Sequence, residues 1–234
     1  MKPTFIQFAN TFFKVNHYKW GLIPYQAFRH HVELSQLYEN NRFVIVKKYR
    51  NGGFTTLSAL WCLWKIMTNE KFKTLIISNT ERIDTLPLLK IIRYACDNLP
   101  EEIKLKAIKH NDHELTLEND STIKCLSRSH FPQPSLSQNV IIFEEPAFYS
   151  DFENIYNSIL PCIEPTNGQI FLVSNVNKQG YFYDIYKNAV LNQNAYYAYA
   201  PCSLEFHSNS ELTRYERILG HKNFVQEYLG EFLD

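Results

Sequence analysis

Hydrophobic positions along the chain fall into two alternating patterns. Short unbroken apolar runs occupy residues 43–48, 74–78, 139–143 and 169–174, each bounded by polar or turn-forming residues. Runs of this length, rich in Val, Ile, Leu and Phe, predict strands buried on both faces. Between them lie segments with apolar residues at helical spacing. The spacing predicts helices over 55–67, where Leu57, Leu60, Trp61 and Trp64 line one side, and over 83–98, ending near Pro100. Further helices are expected at 152–160 and 181–191, with short ones at 210–219 and 223–228. Residues 4–13 read as an aromatic helical arm, and Leu22 to Gln26 as the opening of a helix that runs to Leu37. Residues 115–125 alternate around Asn119-Asp120 and predict a β-hairpin. Residues 196–200 read as a last strand.

Strands that alternate with helices predict an α/β fold: a mainly parallel sheet with helices on both faces. In such sheets ligands bind beyond the carboxyl ends of the strands. Lys48, Glu144, Glu145 and Ser174 all fall at such ends.

Composition narrows the class. The 234 residues are 45% hydrophobic and 15% aromatic, enough for a large core and unlike a disordered chain. The formal net charge is zero, so no global basic field would hold a polyanion, and any nucleic-acid contact has to be local or made by an assembly. The basic cluster Lys104, Lys106 and Lys109 reads as a solvated face. Five cysteines without CxxC or Cys/His spacing argue against a zinc site or a disulfide framework and fit reduced, mostly buried thiols. No secretory leader is read in residues 1–15 and no stretch approaches a membrane span, so a soluble intracellular protein is expected.

The chemistry concentrates at two strand ends. Phe43-Val44-Ile45-Val46 leads into Lys47-Lys48-Tyr49-Arg50-Asn51-Gly52-Gly53-Phe54-Thr55-Thr56 and then a helix. An apolar strand, a glycine-bearing basic loop and a helix start are the parts of a phosphate-binding site, in which loop N–H groups and the helix N-terminus face the anion. Gly52 and Gly53 allow the backbone to bend and approach phosphates closely. The usual loop lysine is missing, since Phe54 stands directly before the threonine pair. Lys48 or Lys47 at the strand end is the replacement cation. The second strand, Val140-Ile141-Ile142-Phe143, ends in Glu144-Glu145. Thr55 is placed to give its hydroxyl to Mg²⁺, Glu144 to anchor the hydrated ion, and Glu145 to orient and deprotonate an attacking water. Thr56 adds a hydrogen bond to the α-phosphate. Arg50 is either a charge-stabilising finger in cis or the partner of a nearby acid.

Other positions carry weaker signals. Gln26 has an amide suited to the adenine edge, with Tyr25 beside it to stack on the ring; Gln26 is otherwise a cap or surface residue. Ser174-Asn175 are placed to sense the γ-phosphate. His30-His31, His110 and His113 lack metal-ligand spacing and read as surface or core histidines.

In this order the segments resemble the ATPase domain of the large terminase subunit, the DNA-packaging motor of tailed bacteriophages. The family's upstream "PYQ" is similar to Pro24-Tyr25-Gln26, and its R-x-x-G-K-T-T loop to Arg50 through Thr56, except at Phe54. Some members place the lysine early, five residues before the glycine, as Lys48 stands to Gly53. Val140 to Ala147 resembles the Walker B run, and Phe171-Leu172-Val173-Ser174-Asn175 the coupling motif. Gly180-Tyr181-Phe182-Tyr183 and the stretch from Phe224 to Phe232 resemble the "GYFY" and "F-x-QEY-x-x-EF" segments. The resemblance spans residues 25–232.

It implies an ASCE-type P-loop NTPase fold in a single domain, residues 1–234, with an N-terminal helical arm over about 1–40. The implied activity is Mg-dependent ATP hydrolysis that drives double-stranded DNA into a procapsid. The implied site joins Tyr25, Gln26, Lys48, Asn51, Gly52, Gly53, Phe54, Thr55 and Thr56 for ATP, Thr55 and Glu144 for Mg²⁺, Glu145, Arg50 and Lys48 for catalysis, and Ser174 and Asn175 for coupling. Implied partners are the portal protein, the small terminase subunit, a nuclease domain or separate nuclease chain, and further copies in a ring, all in the host cytoplasm with no membrane. Two other readings stay open: a nucleotide-binding module that has lost turnover and serves assembly or DNA docking, and a helicase-type ATPase, for which a second tandem sheet is expected.

Overall fold

The computed structural model describes residues 3–17, 19–130, 137–177 and 180–232. Met1, Lys2, Leu233 and Asp234, at the ends of the expected domain, lie outside them.

The chain opens with helix α1 (Phe5–Phe12), strands β1 (Lys14–His17) and β2 (Gly21–Pro24), and helix α2 (Arg29–Asn40). Thr4 starts α1 with a reciprocal capping pair to Gln7. The arm is therefore not all helical. Leu22 and Ile23 do not open a helix; they pair antiparallel with Asn16 and Val15. Pro24 is the last residue of that strand, and four further residues pass before α2 begins at Arg29. The sequence pattern of this stretch is too short to separate strand from helix.

Then follow β3 (Phe43–Lys47), α3 (Phe54–Thr68), β4 (Lys73–Ser78), α4 (Leu86–Asp97), β5 (Ala107–Asn111), β6 (Glu114–Leu117), β7 (Thr122–Ser127), β8 (Val140–Glu144), α5 (Phe152–Ile159), β9 (Gln169–Ser174), α6 (Tyr181–Val190), β10 (Tyr197–Tyr199), α7 (Asn209–Leu219) and the short α8 (His221–Phe224). Eight strands make one sheet in the order β10-β3-β9-β8-β4-β7-β6-β5. From β10 to β7 all pairings are parallel. The predicted hairpin is the antiparallel pair β6–β7, and β5 extends it by an edge strand whose residues are all exposed, without the apolar run that marks the others.

Alternate strand residues feed two cores, as the pleat requires. Val44, Val46, Ile142, Phe171 and Val173 pack on one face against α3 residues such as Leu57 and Trp61 and α4 residues such as Leu88 and Ile92. Ile45, Ile141, Phe143, Ile170 and Leu172 pack on the other against α5 and α6 through Phe152, Ile155, Phe182 and Ile185. Helix α3 is enclosed nearly all round, with ten of its side chains buried, rather than apolar on one side only. Among the described residues no helix is long and apolar enough to cross a membrane.

The topology sets the site. Strand β9 lies between β3, which leads to the glycine loop, and β8, which ends in the paired acids. The sheet is mostly parallel with helices on both faces, the α/β class that the sequence pattern predicts.

Candidate active site

The ladder between β3 and β9 continues one residue past the strand, with Lys48 N–H donating to Ser174 O at 2.9 Å. The chain then turns through Asn51 (φ 63°) and Gly53 (φ 73°), both left-handed. Helix α3 starts at Phe54, and its opening bond runs from Leu57 N–H to Gly53 O at 2.9 Å. The N–H groups of Gly53, Phe54, Thr55 and Thr56 thus have no partner inside the helix. No acidic side chain occupies the first turn of α3. Donors left open by the helix at the positive end of its 15 residues suit an anion.

Gly52 is required for another reason. A Cβ there would collide with the Phe54 ring and lie 2.8 Å from the Tyr49 ring. Phe54 does not point at the anion site. It is buried among His30, Tyr49 and His31, with ring centroids 4.9, 5.3 and 6.3 Å away. The histidines are core residues, and both face the Gly52 carbonyl.

The structure separates the two strand-end lysines. Lys47 extends over the Tyr186 ring at 5.6 Å, and burial pulls its amine down from its ordinary pKa. Lys48 is 7% exposed and lines the cleft, where its Nζ makes an ion pair with Glu145 and donates to Asn175 Oδ1 at 3.0 Å. The cleft encloses about 510 Å³ and is lined by the glycine loop, Glu145, Asn175, Glu227, Asn79 and Asp84.

The two acids differ sharply. Glu145 holds a left-handed backbone (φ 59°), a strained geometry for a residue with a side chain, of the kind that clusters at active sites. Its Oε2 accepts from Ser174 Oγ at 3.1 Å and from Asn175 N–H at 2.8 Å. Glu144 is buried beneath the cleft: Thr55 Oγ1 donates to its Oε2 at 3.2 Å, while its Oε1 has no partner. Burial pushes its carboxyl up to about 8, against the pull of Lys48 and with a further push from Glu145. A buried carboxyl with an idle oxygen beside a threonine hydroxyl fits a hard divalent cation, which takes oxygen donors and would displace the proton. Among the described residues no three His, Cys, Asp or Glu side chains converge, so such an ion would draw its other donors from phosphates and water.

Arg50 has the partner its second reading requires. Its Nε donates to Glu227 Oε2 at 2.8 Å and its N–H to Glu227 O at 2.8 Å. The same Glu227 oxygen accepts from Asn175 Nδ2 at 2.8 Å, and Asn51 Nδ2 reaches Tyr228 OH at 3.4 Å. A polar chain therefore links Lys48, Glu145, Asn175, Glu227 and Arg50. Sequence reasoning assigned Glu227 no place in the site. The "QEY" resemblance was the available signal, because it marks that stretch without giving it a role.

Thr55 and Thr56 line the cleft with the loop. Tyr25 and Gln26 do not. The Tyr25 ring is buried and its hydroxyl meets His31 Nδ1 at 2.9 Å, so no base can stack on it; Gln26 is exposed.

No protein-family profile matches the sequence. Solved structures do match. The large terminase of bacteriophage HK97 aligns with a TM-score of 0.79 over 98% of this chain and 55% of its own length, at 15% identity. The large terminase ATPase domain of Thermus phage P74-26 aligns at 0.71 over 89% of this chain and 95% of its own, at 14% identity. The large terminase of a thermophilic bacteriophage in complex with ATP-γ-S aligns at 0.63 over 88% of this chain and 52% of its own, at 13% identity. The chain spans about half the length of the full large terminases and nearly all of the ATPase domain taken alone. The likeness is one of fold: this chain has the fold of a large-terminase ATPase domain.

Proposed function

We propose that the cleft binds Mg-ATP and hydrolyses it, and that the chain is the motor domain of a viral DNA-packaging terminase, moving double-stranded DNA into a procapsid. The observation that carries the reading is the meeting of Lys48 and Glu145 across a cleft open to the N-terminus of α3, with Thr55 and Glu144 behind them. The fold supports it, as does the ATP-γ-S complex of a similar protein.

Each residue then has a task. The N–H groups of Gly53 to Thr56 cradle the phosphates. Lys48 leaves Glu145 and places its ammonium on the phosphate oxygens, a move of a few ångströms for a four-carbon side chain. Thr55 and Glu144 would hold Mg²⁺, which would supply positive charge beside the phosphates. Released by Lys48 and still held by Ser174 and Asn175, Glu145 orients the attacking water and takes its proton. Arg50 stabilises developing charge, and Asn175 carries the state of the cleft to Glu227. Phosphoryl transfer needs little covalent help, so positioning and charge account for the catalysis. The partners on this reading are double-stranded DNA, the portal protein, the small terminase subunit, a nuclease, and further copies in a ring.

The Lys48–Glu145 pair also favours a second reading, because both groups are occupied by each other. A chain in which the pair never opens would bind nucleotide weakly, without turnover, and serve as a docking module. Steady-state hydrolysis with Lys48→Ala and Lys47→Ala separates the readings. The motor reading expects loss in the first and retention in the second. Hydrolysis that survives Lys48→Ala removes Lys48 from the mechanism. Absence of turnover in the unmodified chain, with nucleotide bound, selects the docking module.

A further inference from the structure

The usual loop lysine is replaced by a phenylalanine, and around that phenylalanine the chain has built an arrangement that fixes the loop. We infer that His30 and His31 are positioning residues of the phosphate loop: together they draw the Gly52 carbonyl inward, so that the loop offers N–H groups and no oxygen to an anion. The inference rests on the nucleotide reading above.

The hydrogen bonds leave one solution. His30 Nε2 lies 2.7 Å and His31 Nε2 2.8 Å from the same Gly52 oxygen. A carbonyl oxygen only accepts, and has two lone pairs to do so. Both Nε2 atoms therefore carry the hydrogen, and both lone pairs are used inside the protein. Each Nδ1 is then an acceptor, and each has a buried tyrosine hydroxyl: Tyr25 OH 2.9 Å from His31 and Tyr49 OH 3.3 Å from His30. Phe28 N–H gives His31 Nδ1 a second, longer bond at 3.4 Å. Burial acts in the same direction on all four rings. It lowers His31 to about 4 and His30 below its ordinary value, and it raises Tyr25 and Tyr49, so neutral imidazoles accept from intact phenols.

The alternative orientation shows why the arrangement matters. With the Gly52 peptide reversed, an oxygen would enter an anion cradle made of N–H dipoles. That would replace an attraction by a repulsion. A loop lysine supplies charge to the phosphates. Here Lys48 brings the charge from the strand end, and the two histidines hold the peptide. Gly53, whose added Cβ would lie 3.0 Å from His31 Cε1 and Nε2, gives the rings room to do so.

The test compares His31→Gln, His31→Leu and the unmodified chain for binding of inorganic triphosphate by calorimetry, with thermal melts to establish folding. A glutamine retains an N–H near the Nε2 position, whereas leucine does not. The inference expects His31→Leu to bind about tenfold more weakly, the loss of one hydrogen bond in a buried setting, and His31→Gln to stay within about threefold of the unmodified chain. Equal affinity in the folded Leu variant overturns it, as does equal loss in both variants. Because His31→Leu removes the acceptor of Tyr25 and lowers stability as well, ¹⁵N NMR of the imidazoles in the unmodified chain gives a second reading. Both rings as neutral Nε2–H tautomers support the inference, and an Nδ1–H tautomer or a cationic ring at pH 7 overturns it. Should the unmodified chain bind no triphosphate, the nucleotide reading fails, and the tautomers still decide whether the carbonyl is pinned.

Discussion

Restoring the usual loop lysine would damage this protein rather than repair it. In Phe54→Lys, a ring 2% exposed and enclosed by His30, His31 and Tyr49 is exchanged for an ammonium on a flexible stem. Truncating a buried Phe costs about 3–5 kcal/mol. The lysine stem recovers part of this, while desolvating the ammonium adds to the cost. A cation in the first turn of α3 opposes the helix dipole by a further ~0.3–1 kcal/mol. A net loss of about 3 kcal/mol lowers the melting temperature by roughly 6–12 °C for a chain of this size. If the new ammonium turns outward to escape the core, it competes with Lys48 for the same oxygens and leaves a cavity behind. Differential scanning calorimetry measures the melting shift, and titration with ATP-γ-S and magnesium measures affinity. The account expects a lower melting temperature and no gain in affinity. A variant that melts like the parent, binds more tightly and no longer needs Lys48 would refute it, since Phe54 would then be an idle substitution in an ordinary loop.

Further expectations concern the acids and Arg50. Glu145→Gln keeps the contacts of Ser174 and Asn175 but loses the proton acceptor, so hydrolysis should fall at least about a hundredfold with nucleotide affinity held within a few-fold; equal loss of both would make Glu145 a binding residue. Burial raises Glu144 from about 4.5 to about 8, so the folded chain holds a proton that the unfolded chain releases. The contribution of Glu144 to stability without magnesium should therefore be fully present below pH 4.5 and be lost as pH rises toward 8, by at most about 1.4 kcal/mol per pH unit for one proton. Glu144→Gln should flatten that decline in urea unfolding at pH 5 to 9, and parallel curves for the two proteins would contradict it. Arg50 is 54% exposed, so Arg50→Ala should change stability by less than about 1 kcal/mol. Its hydrolysis rate should nonetheless fall a hundredfold or more if the guanidinium meets transition-state charge; a change under threefold would make Arg50 only a tether for Glu227.

The centre of the sheet was legible because β3, β8 and β9 carry unbroken apolar runs. Val44 to Val46, Ile141 to Phe143 and Ile170 to Val173 leave no other element of that length, and the carboxyl-end rule then placed Lys48, Glu144, Glu145 and Ser174 together. Strand β5 was not legible, since Ala107 to Asn111 is exposed on every residue and shows no apolar run. The region from Leu22 to Gln26 misled for a different reason: Tyr25 has the composition of a base-stacking site but points inward to His31. The choice between Lys47 and Lys48 depended on strand alternation, which sends adjacent side chains to opposite faces, and a sequence does not say which face opens on the loop. The link from Arg50 and Asn175 to Glu227 spans 177 and 52 residues and has no local signature.

The central claim is that a triphosphate is held by the loop after β3 with Lys48 as its cation. The direct measurement is a crystal structure of the chain grown with ATP-γ-S and magnesium at saturating concentration. The account predicts phosphates against the N–H groups of Gly53 to Thr56, Lys48 Nζ withdrawn from Glu145 to within hydrogen-bond distance of a phosphate oxygen, and Phe54 still among the histidines. Nucleotide density elsewhere, or phosphates in the loop while Lys48 stays on Glu145, would contradict it.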